Sequence, residues 1–226
     1  MLGEEGHRLT IAARRAGKLE AARNFLDGLG YEVYAVAGDL GHPAHIRSVV
    51  DRHRERYGRL DILINNAGVG VSGHVADVNE KDVQLQIRTN MISVIFFYRE
   101  AVSMLLEAGA EHGRALVVNM SSMSGKEAEA GLGVYGATKH AVVGYTQAMN
   151  RELGPRGIRS TAICPGLVNT PMTDYLKAQV AAETMIQPKD ISEAVRYLLR
   201  TSRGCLIPEI QVQQPEAARL DFHVPA

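Results

Sequence analysis

The stretch Leu60-Asp-Ile-Leu-Ile-Asn-Asn-Ala-Gly68 decides the fold of this 226-residue chain. Four of its first five residues are apolar, which predicts a buried β-strand. The polar residues and the glycine that follow predict a turn where the strand ends. Similar apolar runs recur along the chain and predict strands at Leu9–Ala13, Glu32–Val36, Ala115–Val118, Ile158–Ile163 and Glu209–Gln213.

Segments with helical spacing separate these strands. Leu19, Ala22 and Leu26 recur three and four residues apart, as on one face of an α-helix. Further helices are predicted at Pro43–Tyr57, Glu80–Ala108, Val134–Leu153 and Asp190–Arg200. This alternation is typical of an α/β fold, in which helices cover both faces of a parallel sheet. Because no repeat or linker interrupts the pattern, we predict a single domain over residues 1–226.

The composition narrows the class of protein. Apolar residues make up 46% of the chain, and 25 basic residues balance 25 acidic ones, so no net charge favours nucleic acid or an anionic membrane. The run Val94–Tyr98 is far shorter than the roughly 20 apolar residues that span a bilayer, and the N-terminus lacks a signal-peptide pattern. Only two cysteines are present, which suits a reducing cytoplasm. We therefore expect a cytoplasmic protein with a small-molecule partner.

Tyr135 and Lys139 form a candidate catalytic pair, because residues four apart share one helix face. An ammonium beside a phenol stabilises the phenolate, which lowers the phenol pKa from about 10 and lets it exchange a proton with a substrate oxygen. The pair alone is weak evidence, since a lysine on a solvated helix face has the same spacing. Ser122 strengthens the case, because it follows a predicted strand and precedes a glycine-rich loop.

With these residues in view, the sequence resembles the short-chain dehydrogenase/reductase family. The matching segments occur in the family's order and spacing: Asn65-Asn-Ala-Gly68, Val118-Asn-Met-Ser-Ser122, Tyr135-Gly-Ala-Thr-Lys139, Pro165-Gly166 and Asn169-Thr-Pro-Met172. The resemblance runs from about Leu2 to Gln213. It implies a Rossmann-like doubly wound sheet and an enzyme that transfers a hydride between NAD(P) and an alcohol or carbonyl substrate.

The resemblance also implies catalytic roles. Tyr135 would be the general acid/base, and Lys139 would lower its pKa and bind the nicotinamide ribose. Ser122, rather than Ser121, would hold the carbonyl oxygen, because Ser122-Met-Ser-Gly125 matches the family's Ser-x-x-Gly. Ser121 would instead satisfy backbone groups at the strand end. Asn90 resembles the asparagine that fixes a water in the proton relay, although it could also be an ordinary polar residue that interrupts a helix.

Contacts to the cofactor follow from the same resemblance. The adenosine ribose would contact Asn66, Ala67 and Gly68, and the adenine would contact Asp39 and Leu40. The nicotinamide ribose would contact Tyr135 and Lys139. The carboxamide would contact Pro165, Gly166, Val168 and Thr170.

Arg14 and Arg15 decide the predicted choice of cofactor. In a dinucleotide site an acidic residue after the second strand binds the ribose 2'-hydroxyl, whereas a basic residue accommodates a 2'-phosphate. Here the corresponding strand ends in two arginines, and guanidinium groups bind phosphate well. We therefore predict NADP rather than NAD. The alternative is that both arginines merely solvate the start of the next helix, where cations oppose the helix dipole.

One family element is missing, namely the first strand with its Thr-Gly-x-x-x-Gly-x-Gly loop, which binds the pyrophosphate. Gly68, Gly70 and Gly73 also fit Gly-x-Gly-x-x-Gly, but they follow a later strand and are better interpreted as a crossover near the substrate. The resemblance places the missing strand ahead of Met1. Three explanations stay open: a misplaced start codon, residues lacking from this chain, or a real truncation. We favour the first two, because a chain under no catalytic demand has no physical reason to keep its catalytic residues in register.

The missing strand has a physical consequence, because it lies in the middle of a doubly wound sheet. Leu9–Ala13 and Leu60–Ile64 should then either pair with each other or leave backbone groups and apolar faces uncovered. The leading function is an NADP-dependent oxidoreductase. The alternative is a weak or inactive binding or oligomerisation subunit that lacks the pyrophosphate loop.

Other candidate sites carry less weight. His42, His45 and His53 could bind a metal, but Pro43 and the lack of a nearby acidic cluster favour solvated residues of a helix start, so we predict no metal. Cys164 is expected to be a buried structural thiol. Residues 172–187 occupy the place of the family's substrate lid. The resemblance further suggests a homodimer or homotetramer built on the helices that contain Asn90 and Tyr135.

Overall fold

The computed structural model describes residues 1–127 and 129–215. Their secondary structure alternates strands and helices along the chain. In chain order the elements are β1 Leu9–Ala13, α1 Ala16–Gly28, β2 Val33–Ala37, α2 Pro43–Tyr57, β3 Ile62–Asn65, α3 Glu80–Ile87, α4 Ser93–His112, β4 Ala115–Met120, α5 Gly133–Leu153, β5 Ile158–Pro165, α6 Pro188–Arg200 and β6 Glu209–Val212.

All strand pairs in the described residues are parallel, but they form two sheets rather than one. β1 pairs with β2, and β3, β4, β5 and β6 form a four-stranded sheet in that order. The consecutive pairs in each sheet keep a regular register, for example Ile11 opposite Ala35 and Val117 opposite Ser160. Parallel strands need long crossovers, and the helices supply them.

β4 shows how the layers are built, because its side chains alternate between two apolar clusters. Val117 lies in a cluster with Tyr98 and Leu105 of α4, on the face that α2, α4 and α5 cover. Its neighbours Leu116 and Val118 lie in a second cluster with Val195 and Leu198 of α6. With helices on both faces, the predicted α/β, Rossmann-like fold is confirmed.

The division between the sheets leaves one edge of β1 and one edge of β3 without a strand partner among the described residues. β1 and β3 do not pair with each other, so the apolar runs flank a gap instead of closing it. Every residue of β1, and Ile62, Leu63 and Ile64 of β3, keeps partial exposure, whereas five of the six residues of β4 are buried. Of the two predicted outcomes, the structure therefore shows the uncovered edges.

The helix predicted over Glu80–Ala108 differs from the observed structure. α3 ends at Ile87, a π-helical turn spans Arg88–Ile92, and α4 continues to His112. The apolar residues follow helical spacing through the whole region, so periodicity cannot reveal one inserted residue. Turns of this kind often lie at functional sites, and this one contains Asn90.

Candidate active site

The start of α5 places Tyr135 and Lys139 one turn apart, on the side of the helix that meets the ends of β3 and β4. The Lys139 ammonium lies 5.6 Å from the centroid of the Tyr135 ring. Its Nζ donates a hydrogen bond of 2.9 Å to the Met120 carbonyl at the end of β4. Only 3% of Lys139 is exposed, so the protein fixes its position.

Burial governs the protonation of both groups. It raises the pKa of Tyr135, and the nearby Tyr175 and Glu129 add to that increase, while a hydrogen bond with Ser122 acts in the opposite direction. Burial lowers the pKa of Lys139 to about 8. The expected fall of the phenol pKa therefore does not occur in this structure, because desolvation of the phenolate is the largest influence on it.

The loop after β4 contains two adjacent serines, Ser121 and Ser122, whose side chains have different contacts. The Ser122 side chain lies beside the Tyr135 phenol, and its Oγ accepts the backbone N–H of Ser124 at 3.2 Å. The Ser121 Oγ donates instead to the Lys139 carbonyl at 2.9 Å. A Cβ on Gly125 would lie 2.6 Å from that Oγ and 2.8 Å from the same carbonyl, so only glycine fits there. The side chain of Ser122 thus lies on the Tyr135 side and that of Ser121 on the backbone of α5, and the choice of Ser122 over Ser121 stays a prediction.

Asn90 is buried in the π-helical turn and ties three segments together. Its Oδ1 accepts the Val69 N–H at 2.8 Å, and its Nδ2 donates to the Val69 carbonyl at 2.8 Å and to the Thr138 Oγ1 at 3.0 Å. Asn90 thus links the Asn-Asn-Ala-Gly turn to the helix that contains Tyr135. Its amide is engaged in structural hydrogen bonds, and its proposed part in a proton relay stays a prediction.

Several buried polar residues support the site in ways that were not predicted from the sequence. The Gln86 side chain is fully buried, and its Oε1 accepts the N–H of Val71 at 3.1 Å. Asn65 donates to Asn119 at 2.8 Å, and Asn119 donates to Thr146 at 2.9 Å, which joins β3 to β4 and β4 to α5. A polar residue within an apolar run was the available signal in both strands, because buried polar groups need partners.

The predicted adenosine side lies at the ends of β1, β2 and β3. Leu40 is buried in a cluster that Ala67 contacts, which brings these two strand ends together. The Asp39 carboxylate accepts the Gly41 N–H at 3.0 Å, which shapes the turn. Asn66 is exposed beside Ala67 and Gly68.

Arg14 and Arg15 follow β1 directly and are both exposed. Arg15 caps the N-terminus of α1 without a side-chain hydrogen bond, and no acidic residue occupies the first turn of α1. Cations at this end of a helix are unfavourable unless an anion is near. The two guanidinium groups are therefore available for an anionic ligand.

The predicted carboxamide side follows β5, which ends at the buried Pro165. A short parallel bridge joins Val168 to Ile186, and the Thr173 Oγ1 donates to the Val168 carbonyl at 2.6 Å. Thr173 also accepts the Thr170 N–H at 3.2 Å, so one hydroxyl fixes the loop between the two predicted contact residues.

Residues 172–187 form a covering segment next to this loop. Leu176, Val180 and Met185 are buried in a small apolar cluster with Leu167. Met172 and Tyr175 are large apolar residues that stay exposed, at 47% and 61%. Both line a cavity of about 2140 Å3 that also contains Ser122, Tyr135 and Lys139.

The structure buries two of the other residues considered in the sequence, His53 and Cys164. His53 is buried, its Nε2 donates to the Arg59 carbonyl at 2.8 Å, and its Nδ1 accepts from Thr10 at 2.7 Å, so the expectation of a solvated residue is wrong for it. The prediction was wrong because His53 lies near the end of α2 and not at its start. Cys164 is fully buried, and burial raises the pKa of its thiol.

Residues 1–127 and 129–215 contain no cluster of three or more side chains that could hold a metal ion. The same residues contain no helix that is long and apolar enough to cross a membrane.

Comparison with known proteins agrees with this fold. The short chain dehydrogenase family model matches residues 1–181. A putative ketoacyl reductase of Streptomyces coelicolor is 32% identical over 219 residues, which covers 88% of this chain and 82% of the relative. The granaticin polyketide synthase putative ketoacyl reductase 1 of Streptomyces violaceoruber is 32% identical over 190 residues, 84% of this chain and 69% of the relative. The chain belongs to the short-chain dehydrogenase family.

Solved structures of relatives show the same architecture. A variant of actinorhodin polyketide ketoreductase with NADPH has a TM-score of 0.85 and 28% identity, and the match covers 94% of this chain and 88% of the other. A short chain dehydrogenase from Burkholderia cenocepacia in complex with NADP has a TM-score of 0.82 and 27% identity, with the same two coverages.

Proposed function

We propose that this protein is an oxidoreductase that transfers a hydride between NADP(H) and a small alcohol or carbonyl substrate. The observation that carries the proposal is the convergence of Ser122, Tyr135 and Lys139 at the carboxyl ends of β3 and β4, inside one cavity. Ligands of open α/β sheets bind at that edge.

The residues present fit NADP at both ends of the cofactor. On the nicotinamide side, Lys139 has two N–H donors beyond the one it gives to Met120, and Pro165 and Gly166 line the same cavity. On the adenosine side, Arg14 and Arg15 offer exposed guanidinium groups to a 2'-phosphate, and they too line the cavity. The NADP and NADPH complexes of the relatives support this choice over NAD. Bound NADPH would supply the hydride.

The chain's own residues would handle the proton and the oxygen. A raised pKa keeps the Tyr135 phenol protonated near neutral pH, which suits a proton donor to a carbonyl oxygen during reduction. The Ser122 hydroxyl would hold the same oxygen and stabilise the negative charge that develops on it. Lys139 would orient the ribose and favour the phenolate once the proton has left. Asn90 would position the turn and the helix.

The walls of the cavity favour an apolar or amphipathic carbonyl compound. Leu132, Met172 and Tyr175 line it beside Tyr135. The names of the two Streptomyces relatives point to ketone reduction, so a 3-keto ester is a suitable first substrate.

An experiment on the 226-residue chain tests the proposal. NADPH fluorescence is titrated with protein, and NADPH consumption is followed with ethyl acetoacetate and a panel of ketones and aldehydes. We expect saturable binding and turnover that Tyr135→Phe reduces by roughly 100- to 10,000-fold, whereas Tyr197→Phe on the exposed face of α6 should keep full activity. Turnover that survives Tyr135→Phe contradicts the assigned role.

A second candidate is a binding or oligomerisation subunit without catalysis. The gap between β1 and β3 favours it, because the strand that would carry the pyrophosphate loop belongs there. Saturation by NADPH argues against this candidate, and a complete lack of binding supports it. In either case we propose a homodimer or homotetramer built on α4 and α5, which sedimentation of the purified chain tests directly.

A further inference from the structure

A carboxylate lies at the substrate end of the cavity, the part that is lined by Ser122, Leu132, Tyr135, Met172 and Tyr175. It belongs to Glu129, which lines the same cavity and lies in the loop between β4 and α5. Burial is the main cause of the raised pKa of both Tyr135 and Tyr175, and the nearby charge of Glu129 adds to it. The proposed function gives this carboxylate no role.

A buried serine holds the Glu129 carboxylate in place. The Ser124 Oγ donates a hydrogen bond of 3.1 Å to the Glu129 Oε2, and Ser124 is only 6% exposed. The loop is also tied to the segment after β3, because the Gly73 N–H donates to the Gly131 carbonyl at 2.8 Å. No hydrogen bond from the described parts of the chain reaches the other carboxylate oxygen, Oε1, which can therefore accept one from a ligand.

No basic side chain within residues 1–127 and 129–215 forms an ion pair with Glu129. Two lysines of neighbouring segments are paired with other carboxylates. Lys126 contacts Glu209 at 2.8 Å, and Lys177 contacts Asp174 at 2.6 Å. The negative charge of Glu129 is thus available to a cationic ligand.

Lys139 does not neutralise this charge. It is the only basic residue among the described residues between Met120 and Leu176 that line the cavity. Its Nζ donates instead to the Met120 carbonyl at the end of β4, and the proposed function directs it towards the cofactor. Glu129 is therefore left to face the substrate.

Tyr175 supplies a second group that attracts cations. Its side chain is 61% exposed and lines the cavity, whereas the next residue, Leu176, is 1% exposed and anchors the turn Asp174–Leu176. The face of an aromatic ring attracts cations, and quaternary ammonium groups are often bound in this way. A carboxylate near such a ring suits an ammonium group, while the same carboxylate repels an anionic substrate.

We propose that the substrate is a carbonyl compound that carries an ammonium group, which the Glu129 carboxylate and the face of the Tyr175 ring bind. The carbonyl oxygen lies at Ser122 and Tyr135, as in the proposed function, on which this inference rests. An apolar chain between the two groups contacts Leu132 and Met172. The substrate class is thus amino ketones and amino aldehydes rather than neutral or acidic carbonyl compounds.

Two ketones of the same shape test the proposal. Both are methyl ketones with a chain of three methylene groups, which ends in trimethylammonium in one and in the neutral tert-butyl group in the other. NADPH consumption gives kcat/KM for each, and we call the ratio of the charged to the neutral ketone the cation preference. We compare this ratio between variants, so that a difference in intrinsic reactivity of the two ketones cancels.

Glu129→Gln should lower the cation preference roughly 3- to 10-fold, because the amide keeps the shape of the side chain and removes its charge. Glu127→Gln is the matched control. Glu127 is exposed in the same loop and lines the cavity, but it is not among the groups that shift the pKa of Tyr135 or Tyr175. Its replacement removes the same charge and should leave the cation preference unchanged.

Variants of Tyr175 test the contribution of the ring. Tyr175→Phe keeps the aromatic face and should keep the cation preference. Tyr175→Leu keeps an apolar side chain without a ring and should lower the cation preference roughly 2- to 5-fold. Equal ratios in these two variants would remove the ring from the proposal.

A binding measurement separates this inference from the proposed activity. The probe is pentyltrimethylammonium, which has no carbonyl, and broadening of its methyl NMR signal by the full chain with NADPH present reports binding. If neither ketone is reduced but Glu129→Gln weakens binding of the probe, the proposed activity fails and the ammonium site stands. If the neutral ketone is reduced and the cation preference is the same in Glu129→Gln, or falls equally in Glu127→Gln, the ammonium site is refuted and the activity stands. Absence of both turnover and probe binding that depends on Glu129 refutes both.

Discussion

Replacing Asn119 by alanine should destabilise the fold without touching a catalytic side chain. Asn119 is fully buried in β4, accepts a hydrogen bond from Asn65 and donates one to Thr146. The substitution leaves the Asn65 Nδ2 without this partner in a buried place, which costs about 1–3 kcal/mol. The Thr146 hydroxyl still donates to the Val142 carbonyl at 2.7 Å, so its share of the loss is smaller. With the small void added, we expect a loss of about 2–4 kcal/mol in the free energy of unfolding.

Urea unfolding followed by circular dichroism measures this loss. Asn24→Ala is the matched control, because Asn24 is exposed on α1, and it should change the free energy of unfolding by less than about 0.5 kcal/mol. In the double variant Asn65→Ala with Asn119→Ala, both partners are gone, so the combined loss should be smaller than the sum of the single losses. A single-variant loss below about 0.5 kcal/mol, or strictly additive losses, would refute the role given to the asparagine chain.

Three further predictions concern the site and its pH response. Arg14→Ala should raise the KM for NADPH by roughly 10- to 100-fold and leave the KM for NADH nearly unchanged, because only NADPH carries the 2'-phosphate. Steady-state kinetics with both cofactors measures the two KM values. An equal rise in both KM values contradicts the role given to Arg14. Gly125→Ala should lower both activity and thermal stability, since its Cβ would clash with the Ser121 Oγ and the Lys139 carbonyl, whereas Gly144→Ala has open space in the middle of α5 and should stabilise the chain slightly; comparison of their melting temperatures and turnover is the check. The free energy of unfolding should fall as the pH drops below about 6.5, because burial lowers the pKa of His53 in the fold and the unfolded chain then binds more protons. Urea unfolding between pH 5 and pH 7 measures this dependence, and His53→Gln should flatten it. An unchanged slope would argue against His53 as its source.

Local patterns predicted most of the regular structure. β1, a five-residue run in which four residues are apolar, has the predicted bounds Leu9–Ala13, and α2 begins at Pro43 and ends at Tyr57 as expected. Proline at the start and Gly58 in a left-handed conformation at the end of α2 mark its limits. In such segments the residues at the two ends specify where the element begins and ends, so tertiary contacts have little influence on its bounds.

Tertiary contacts decided the features that could not be predicted. The π-helical turn at Asn90 depends on hydrogen bonds to Val69 and Thr138, which are distant in sequence. The burial of His53 depends on Thr10 across the α2–β1 contact. The direction of the Tyr135 pKa shift depends on the balance between desolvation and nearby charges, and spacing along one helix does not contain that information.

The division of the sheet also bears on how ligand binding and folding are linked. Arg14 and Asp39 belong to the two-stranded side, whereas Tyr135 and Lys139 belong to the four-stranded side. A ligand that contacts residues of both sides acts as a crosslink, so part of its binding free energy resists separation of the two sheets. At a concentration 100 times its Kd, such a ligand adds about 2.7 kcal/mol to the stability of the assembled state. Occupancy of the catalytic site and the stability of the contact between the two sheets would then both depend on the cofactor concentration.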